Sequence, residues 1–210
     1  MEIAEDLQPI SAPTALKIID AAGGLFMQRG YTAVSITDII KAAEVTKPTL
    51  YYYFADKEEL FVQMGLRVTN EMGARLREAL ASANDTPTQL RAVAAVLMAN
   101  AEADMRMMRH EMAEHLAPAQ RARLGRVFYL QIFSPILHLM EEGIASGALG
   151  RYPPITLAKM FMAMAESFLE FAPRHNQPWD SQRQGMFGPS DLDPTTLVDL
   201  FLNGVRPATS

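Results

Sequence analysis

The sequence predicts an all-α protein in two parts, a small N-terminal three-helix unit over residues 1–60 and a larger helical unit over residues 61–210. Three observations predict it. Apolar residues recur at helical spacing along nearly the whole 210-residue chain. Serine, threonine or aspartate stands ahead of most periodic runs, with proline or glycine between them. No segment alternates apolar and polar residues as a strand would, and no internal repeat is present.

Taken in order, Leu16, Ile19, Gly23 and Phe26 form the first helix, which Gly30 ends after Arg29. Ser35 followed by Asp38 makes a capping-box-like start for a short helix through Ala43. Thr46 is expected to cap the next helix, with Pro48 in its first turn. Asp56, with Glu59 three residues on, starts a long helix to about Ser82. Asn84-Asp85-Thr86-Pro87 is a break. Here Thr86 is the expected cap, Pro87 the first helical residue and Gln89 the end of the box, with the helix continuing to about Glu114. Pro118 interrupts the pattern. The next helix runs through Val127, Leu130, Ile136 and Met140 to Gly147. Pro135 lies inside it and is expected to kink it, because proline removes a backbone bond and crowds the preceding turn. Tyr152-Pro153-Pro154 is a linker to a helix from about Ile155 to Phe171. Residues 173–193, with Pro173, Pro178, Pro189, Gly185 and Gly188, read as a long loop. Asp193 caps the last helix, which opens at Pro194.

Composition narrows the class. A hydrophobic fraction of 49% is ample for a core. The absence of cysteine excludes disulfides and thiolate metal sites and fits a reducing cytosol. The acidic start, Met-Glu-Ile-Ala-Glu-Asp, is unlike a secretory leader, and no apolar run reaches the roughly 18 residues of a membrane span. A cytoplasmic chain is expected. The net charge of −5 gives no general attraction to nucleic acid. Residues 14–57 nevertheless hold five basic residues (Lys17, Arg29, Lys41, Lys47, Lys57) against four acidic (Asp20, Asp38, Glu44, Asp56), so the acidity lies elsewhere.

The most informative stretch is 35–57, two short helices joined by a turn. At about 100° per residue, Leu50 and Phe54 share one face of the second helix and should pack on Phe26, Ile39 and Val45. Pro48, Thr49 and Tyr52 point away, with Lys47 and Tyr51 on the flanks. That outward face offers methyl groups, hydroxyls and aromatic edges, which suit thymine methyls, base edges and phosphates in a major groove. Lys47 and Lys57 can neutralise phosphates. Ser35 and Thr37 stand at a helix start whose amides favour a phosphate. The bland alternative is a helical bundle with surface tyrosines.

The run Thr14–Leu60 closely resembles the tetracycline-repressor (TetR) family of bacterial regulators. The matching residues are Ile18-Ile19-Asp20-Ala21-Ala22, Leu25-Phe26, Arg29-Gly30-Tyr31, Ser35, Asp38-Ile39, Ala42-Ala43, Val45, Lys47, Thr49-Leu50-Tyr51, Phe54, Lys57-Glu58 and Leu60. Carried over position by position, the resemblance implies a helix-turn-helix with double-stranded DNA contacts from Ser35, Thr37, Thr46, Lys47, Pro48, Thr49, Tyr51, Tyr52 and Lys57. It departs from the family at Val34, where threonine is common, and at Thr37, where arginine is frequent. Glu44 replaces the usual turn glycine, and Pro48 replaces a common glycine.

Beyond Phe61 the resemblance is in layout, with a Glu142–Leu149 segment similar to the end of the family's seventh helix. It implies a domain that binds a small molecule and dimerises. Met98, Met105, Met107, Met108, Met112, Met140, Met160, Met162 and Met164 suit an adaptable apolar pocket, or simply fill core gaps. The expected pocket comprises Met98, Met105, Met108, Phe128, Ile132, His138, Phe161 and Met164. The expected homodimer interface comprises Phe161, Phe168, Leu197, Phe201 and Val205, whose apolar surface looks too broad for one neighbour. A two-fold dimer would set two reading helices about 34–36 Å apart. His110 with Glu114 and His138 with Glu142 share helical faces but read as solvated charge, so neither metal nor cofactor is expected. No nucleophile motif or catalytic carboxylate pair stands out, and no enzyme is expected. The expected function is a regulator, a repressor released from a palindromic operator by a small apolar molecule. The alternative is a helical small-molecule-binding protein that has lost specific DNA reading. Effector, operator and target genes are not legible in these residues.

Overall fold

A computed structural model describes residues 10–99, 105–170 and 193–205; the side chains at 105–109, 168–170 and 204–205 lie outside the described set. The helices are α1 (Pro13–Arg29), α2 (Ile36–Ala43), α3 (Lys47–Tyr53), α4 (Lys57–Ala81), α5 (Thr86–Ala99), α6 (Met105–His115), α7 (Pro118–Phe128), α8 (Ser134–Ala145), α9 (Pro154–Glu170) and α10 (Pro194–Val205). A π-helical segment, Tyr129–Phe133, joins α7 to α8. No strand occurs among the described residues. The 173–192 stretch of the expected loop lies outside them, as do residues 100–104 in the middle of the helix expected over 86–114.

The chain divides into two compact units, and the division is not a single cut at residue 60. One unit takes the described residues through Gly73 together with Met105 to Ile132. The other takes Ala74 to Ala99, Phe133 to Glu170 and Asp193 to Val205.

In the first unit Ile18, Ile19, Ala22, Phe26, Ile39, Leu50, Phe54, Leu60 and Phe61 are buried together. Phe26 and Phe61 meet edge to face at 5.3 Å, a favoured aromatic geometry. Polar bonds tie later helices to the start of α4. Arg123 of α7 pairs with Glu59 at 3.0 Å, Gln120 donates to Glu59 at 3.1 Å, and the Ala117 amide donates to Glu58 at 2.7 Å.

The second unit packs α5, α8, α9 and α10 through Leu90, Val93, Ile136, Leu139, Met140, Leu157, Phe161, Leu197 and Phe201, all buried. Phe161 and Phe201 meet at 5.2 Å, and Arg91 of α5 pairs with Asp199 of α10 at 3.2 Å. This corrects the expected dimer surface. Phe161, Leu197 and Phe201 occupy the protomer's own core and have no face left for a second copy. The apolar side chains that α9 and α10 turn outward are Ile155, Met160 and Leu200. Phe168 and Val205 have side chains outside the described set.

One local expectation is also corrected. Thr86 does not cap α5. Asp85 does, its carboxylate accepting from the Thr88 amide at 2.9 Å, while Thr86 is buried against α8. Gln89 closes the preceding turn instead, donating to the carbonyls of Leu80 and Ala83 at 3.1 Å. Pro135 is answered by the π segment just before it. It has no N–H for an α-register bond to residue 131, and the widened turn absorbs that loss. Asp193 caps α10 as expected, accepting from the Thr196 amide at 2.6 Å.

Gly143 lets α8 approach its neighbours. A Cβ there would lie 2.7 Å from the Leu149 Cδ1 and 2.9 Å from the Thr86 Cγ2. Gly143→Ala should therefore cost about 1–3 kcal/mol by overpacking, read as a lowered denaturant midpoint at unchanged slope.

At the end of α2, Glu44 takes φ 51° and ψ 46°, the left-handed region, which costs a non-glycine residue about 1–2 kcal/mol. Its carboxylate meets Lys17 at 3.1 Å, both side chains being mostly exposed, so that pair returns little. Glu44→Gly should hold or raise the Tm, with a stability gain of at most about 1 kcal/mol after the added chain entropy of glycine. Glu44→Val should lower it, since a β-branched residue is worst suited to positive φ.

Candidate nucleic-acid interface

The interface is built on α2 and α3. Ser35 closes a full capping box with Asp38: the Asp38 amide donates to the Ser35 Oγ at 3.2 Å and the Ser35 amide to the Asp38 carboxylate at 2.9 Å. Hydrogen bonds from Ser35 hold the Asp38 carboxyl below the usual aspartate range, and the nearby Arg29 and Lys41 add to this. Thr46 caps α3 by accepting from the Thr49 amide at 3.3 Å, and its hydroxyl meets that of Thr49 at 2.7 Å. Pro48 stands in the first turn of α3, where its missing N–H costs nothing.

Leu50 and Phe54 are fully buried beside Phe26 and Ile39, with Val45 packed against them. The opposite face is open. Tyr52 is 81% exposed and Tyr51 44%, Thr46, Lys47 and Pro48 are exposed, and Thr49 is half-buried. The Lys47 Nζ stands 5.9 Å from the Tyr51 ring centroid. Ser35 and Thr37 are exposed at the start of α2. Eight of the nine expected contact residues thus line one accessible surface of the first unit, formed by α3 and the N-terminus of α2. Arg29 and Lys41, counted in the sequence among the basic residues but not among the expected contacts, add positive charge near Asp38.

Lys57 behaves differently. Its ammonium donates to the carbonyls of Tyr31 and Val34, each at 2.8 Å, and stands 4.1 Å from the Tyr31 ring centroid. Burial lowers its pKa, with Glu111 opposing. Burial likewise raises that of the Tyr31 phenol, with Glu58 and Asp56 adding to the shift.

The expected pocket residues fall in both units. His138 is turned outward, its ring 3.5 Å from Glu141 and 3.3 Å from Glu142 with a side chain 69% exposed. Ile136, Leu139, Met140 and Gly143 take the inner face of α8, and position 138 falls opposite them. Met98 and Met164 are half-buried and Phe161 buried in the second unit, while Phe128 is half-buried and Ile132 buried in the first. The side chains of Met105 and Met108 lie outside the described set. A cleft of about 760 Å³ in the second unit is lined by Asn84, Asp85, Thr86, Pro87, Gln89, Glu142, Ala145, Ser146, Gly147 and Ala148, none of them an expected pocket residue. His110 and Glu114 approach to 3.5 Å on the surface, and among the described residues no group of three or more suitable side chains could hold a metal ion. No described helix is long and apolar enough to cross a membrane.

Comparison with known proteins agrees with this geometry. Residues 18–64 match the family model for bacterial regulatory proteins of the tetR family. The chain is 34% identical over 76 residues to the HTH-type transcriptional activator FasR of Mycolicibacterium smegmatis, a match covering 36% of this chain and 35% of that protein. It is 42% identical over 48 residues to the HTH-type transcriptional regulator QacR of Staphylococcus aureus, covering 23% and 26%. The matched region thus spans about a third or less of these relatives' length. A solved structure of a tetR-family bacterial regulatory protein from Rhodococcus RHA1 superposes with a TM-score of 0.72 at 19% identity, covering 95% of this chain and 100% of that one, which establishes the shared all-helical fold. The likeness to the tetR family of bacterial regulatory proteins is carried by residues 18–64, which hold most of α1 and all of α2 and α3.

Proposed function

We propose that the chain is a homodimeric DNA-binding transcription regulator that reads a palindromic operator with α3 in the major groove. The observation that carries this is the two-sidedness of α3: Leu50 and Phe54 are wholly buried while Lys47, Pro48, Tyr51 and Tyr52 face solvent. Lys47 supplies phosphate neutralisation, and the hydroxyls, methyls and rings of Thr46, Thr49, Tyr51 and Tyr52 supply base and backbone contacts. Ser35 and Thr37 offer hydroxyls, with the free amides of α2, to a phosphate. The unliganded dimer represses, and a small apolar effector held in the second unit lowers operator affinity by binding one arrangement of the dimer better than the other. The half-buried Met98 and Met164 support an adaptable apolar site there.

Electrophoretic shift assays on DNA upstream of the chain's own coding region test the reading. Tyr52→Ala should lose about 1–3 kcal/mol of binding to the preferred sequence. Lys47→Ala should weaken binding to all sequences and reduce the slope of log K against log salt by about 1. Salt-insensitive or sequence-independent binding by the unmodified chain would sink it.

For the dimer, the outward apolar side chains Ile155, Met160 and Leu200 of α9 and α10 support the contact surface. Leu200→Glu should shift the particle mass from dimer to monomer at micromolar concentration, measured by light scattering after gel filtration. A monomeric wild-type protein would remove this part of the proposal.

A further inference from the structure

We infer that Lys57 is a positioning residue that fixes the phosphate-facing start of α2, and is not itself a contact to the DNA backbone. The inference rests on the DNA-binding reading for its consequence, though not for its geometry.

Lys57 is the first residue of α4. An ammonium has three N–H donors, and two of them are committed, to the Tyr31 and Val34 carbonyls at 2.8 Å each. The charge also lies 4.1 Å from the centroid of the Tyr31 ring, a cation–π arrangement that strengthens with desolvation. The ring is itself a fixed platform. It packs at 5.0 Å from Phe61 and 5.5 Å from Phe26 and stacks at 5.1 Å on His115.

The two carbonyls bracket the loop that leads into α2. Gly30 ends α1 at φ 77°, and Val34 directly precedes the capping residue Ser35. That loop has little other internal bonding: the Val34 amide reaches the Tyr31 carbonyl at only 3.4 Å. Lys57 thus ties the first turn of α4 to the segment that sets where Ser35, Thr37 and the free amides of α2 stand. A half-buried cation in this setting has exchanged its water for protein oxygens and a ring face. Turning outward to a phosphate would take this donor from the Val34 carbonyl and leave the Tyr31 carbonyl with only the long bond from the Val34 amide. Lys47, exposed on α3, is the contrasting case.

The test uses the full chain with Lys57→Gln, with Lys57→Met as a second variant that keeps the aliphatic stem over the Tyr31 ring, and with Lys47→Gln as the control for a phosphate contact. Hydrogen exchange without DNA should show the amides of 31–38 exchanging on the order of tenfold faster in both Lys57 variants, with those of α5 unchanged. Binding to a mixed-sequence duplex across a salt series should weaken at each salt concentration with the slope unaltered, whereas Lys47→Gln lowers the slope by about 1. Unchanged exchange at 31–38 overturns the inference, and so does a slope lowered by about 1 in the Lys57 variants. Because exchange is read without DNA, failure of this inference is separable from failure of the DNA-binding reading.

Discussion

A seven-residue helix cannot hold itself together in water. Isolated helices shorter than about 12–15 residues are marginal even with favourable sequences. The helix α3 therefore exists only because Leu50 and Phe54 are buried to completion among α1 and α2 residues. Burial of two such side chains supplies roughly 3–6 kcal/mol, which is the scale needed to offset the cost of ordering one short helix. The Thr46 cap and Pro48 lower that cost further by satisfying one amide and removing another. The same constraint explains the free outer face. All the stability of α3 comes from one side, so Lys47, Tyr51 and Tyr52 contribute little to folding and are available for recognition.

Most of this head was legible in the chain because its signals are local. Ser35 with Asp38, Thr46 with Thr49 and Asp56 with Glu59 are three-residue patterns, and each forms the bond its spacing implies. Lys57 was not legible in the same way. A lysine at a helix start near an expected phosphate looks like a contact, and only the tertiary approach of the Tyr31 and Val34 carbonyls turns it inward. Thr86 failed for a related reason. Threonine and aspartate are both good caps, and burial of Thr86 against α8 decided between them.

The second unit was read less well, and the limit is physical. Periodicity tells which positions share a helical face but not what covers that face. Phe161, Leu197 and Phe201 form a stripe that serves equally as interior or as interface. In the protomer they are interior, because α5 and α8 supply enough apolar surface to enclose them. The side chains left outside, Ile155, Met160 and Leu200, are scattered singly in sequence and carry no strong pattern. Similarly, His138 lies within an apolar stretch, yet Ile136, Leu139, Met140 and Gly143 already fill the inner face of α8. A histidine beside Glu141 and Glu142 is better solvated outside than buried.

The segment around Pro135 joins these two lessons. Proline inside a helix announces a fault, but the sequence pattern does not say how the chain rewinds around it. Here it rewinds into a π turn over Tyr129–Phe133. One consequence is that Gln131, a polar side chain, is 95% buried, with a relative exposure of only 5%. The opposing residue is Gly73, where a Cβ would fall 2.8 Å from the Gln131 Cβ and Oε1. A wide turn needs room, and Gly73 of α4 provides it beside Gln131. Proline, π turn, buried glutamine and glycine are thus four aspects of one local solution, separated by some sixty residues in the chain. Only the proline carries a signal readable by itself, since the other three acquire their meaning from being placed together.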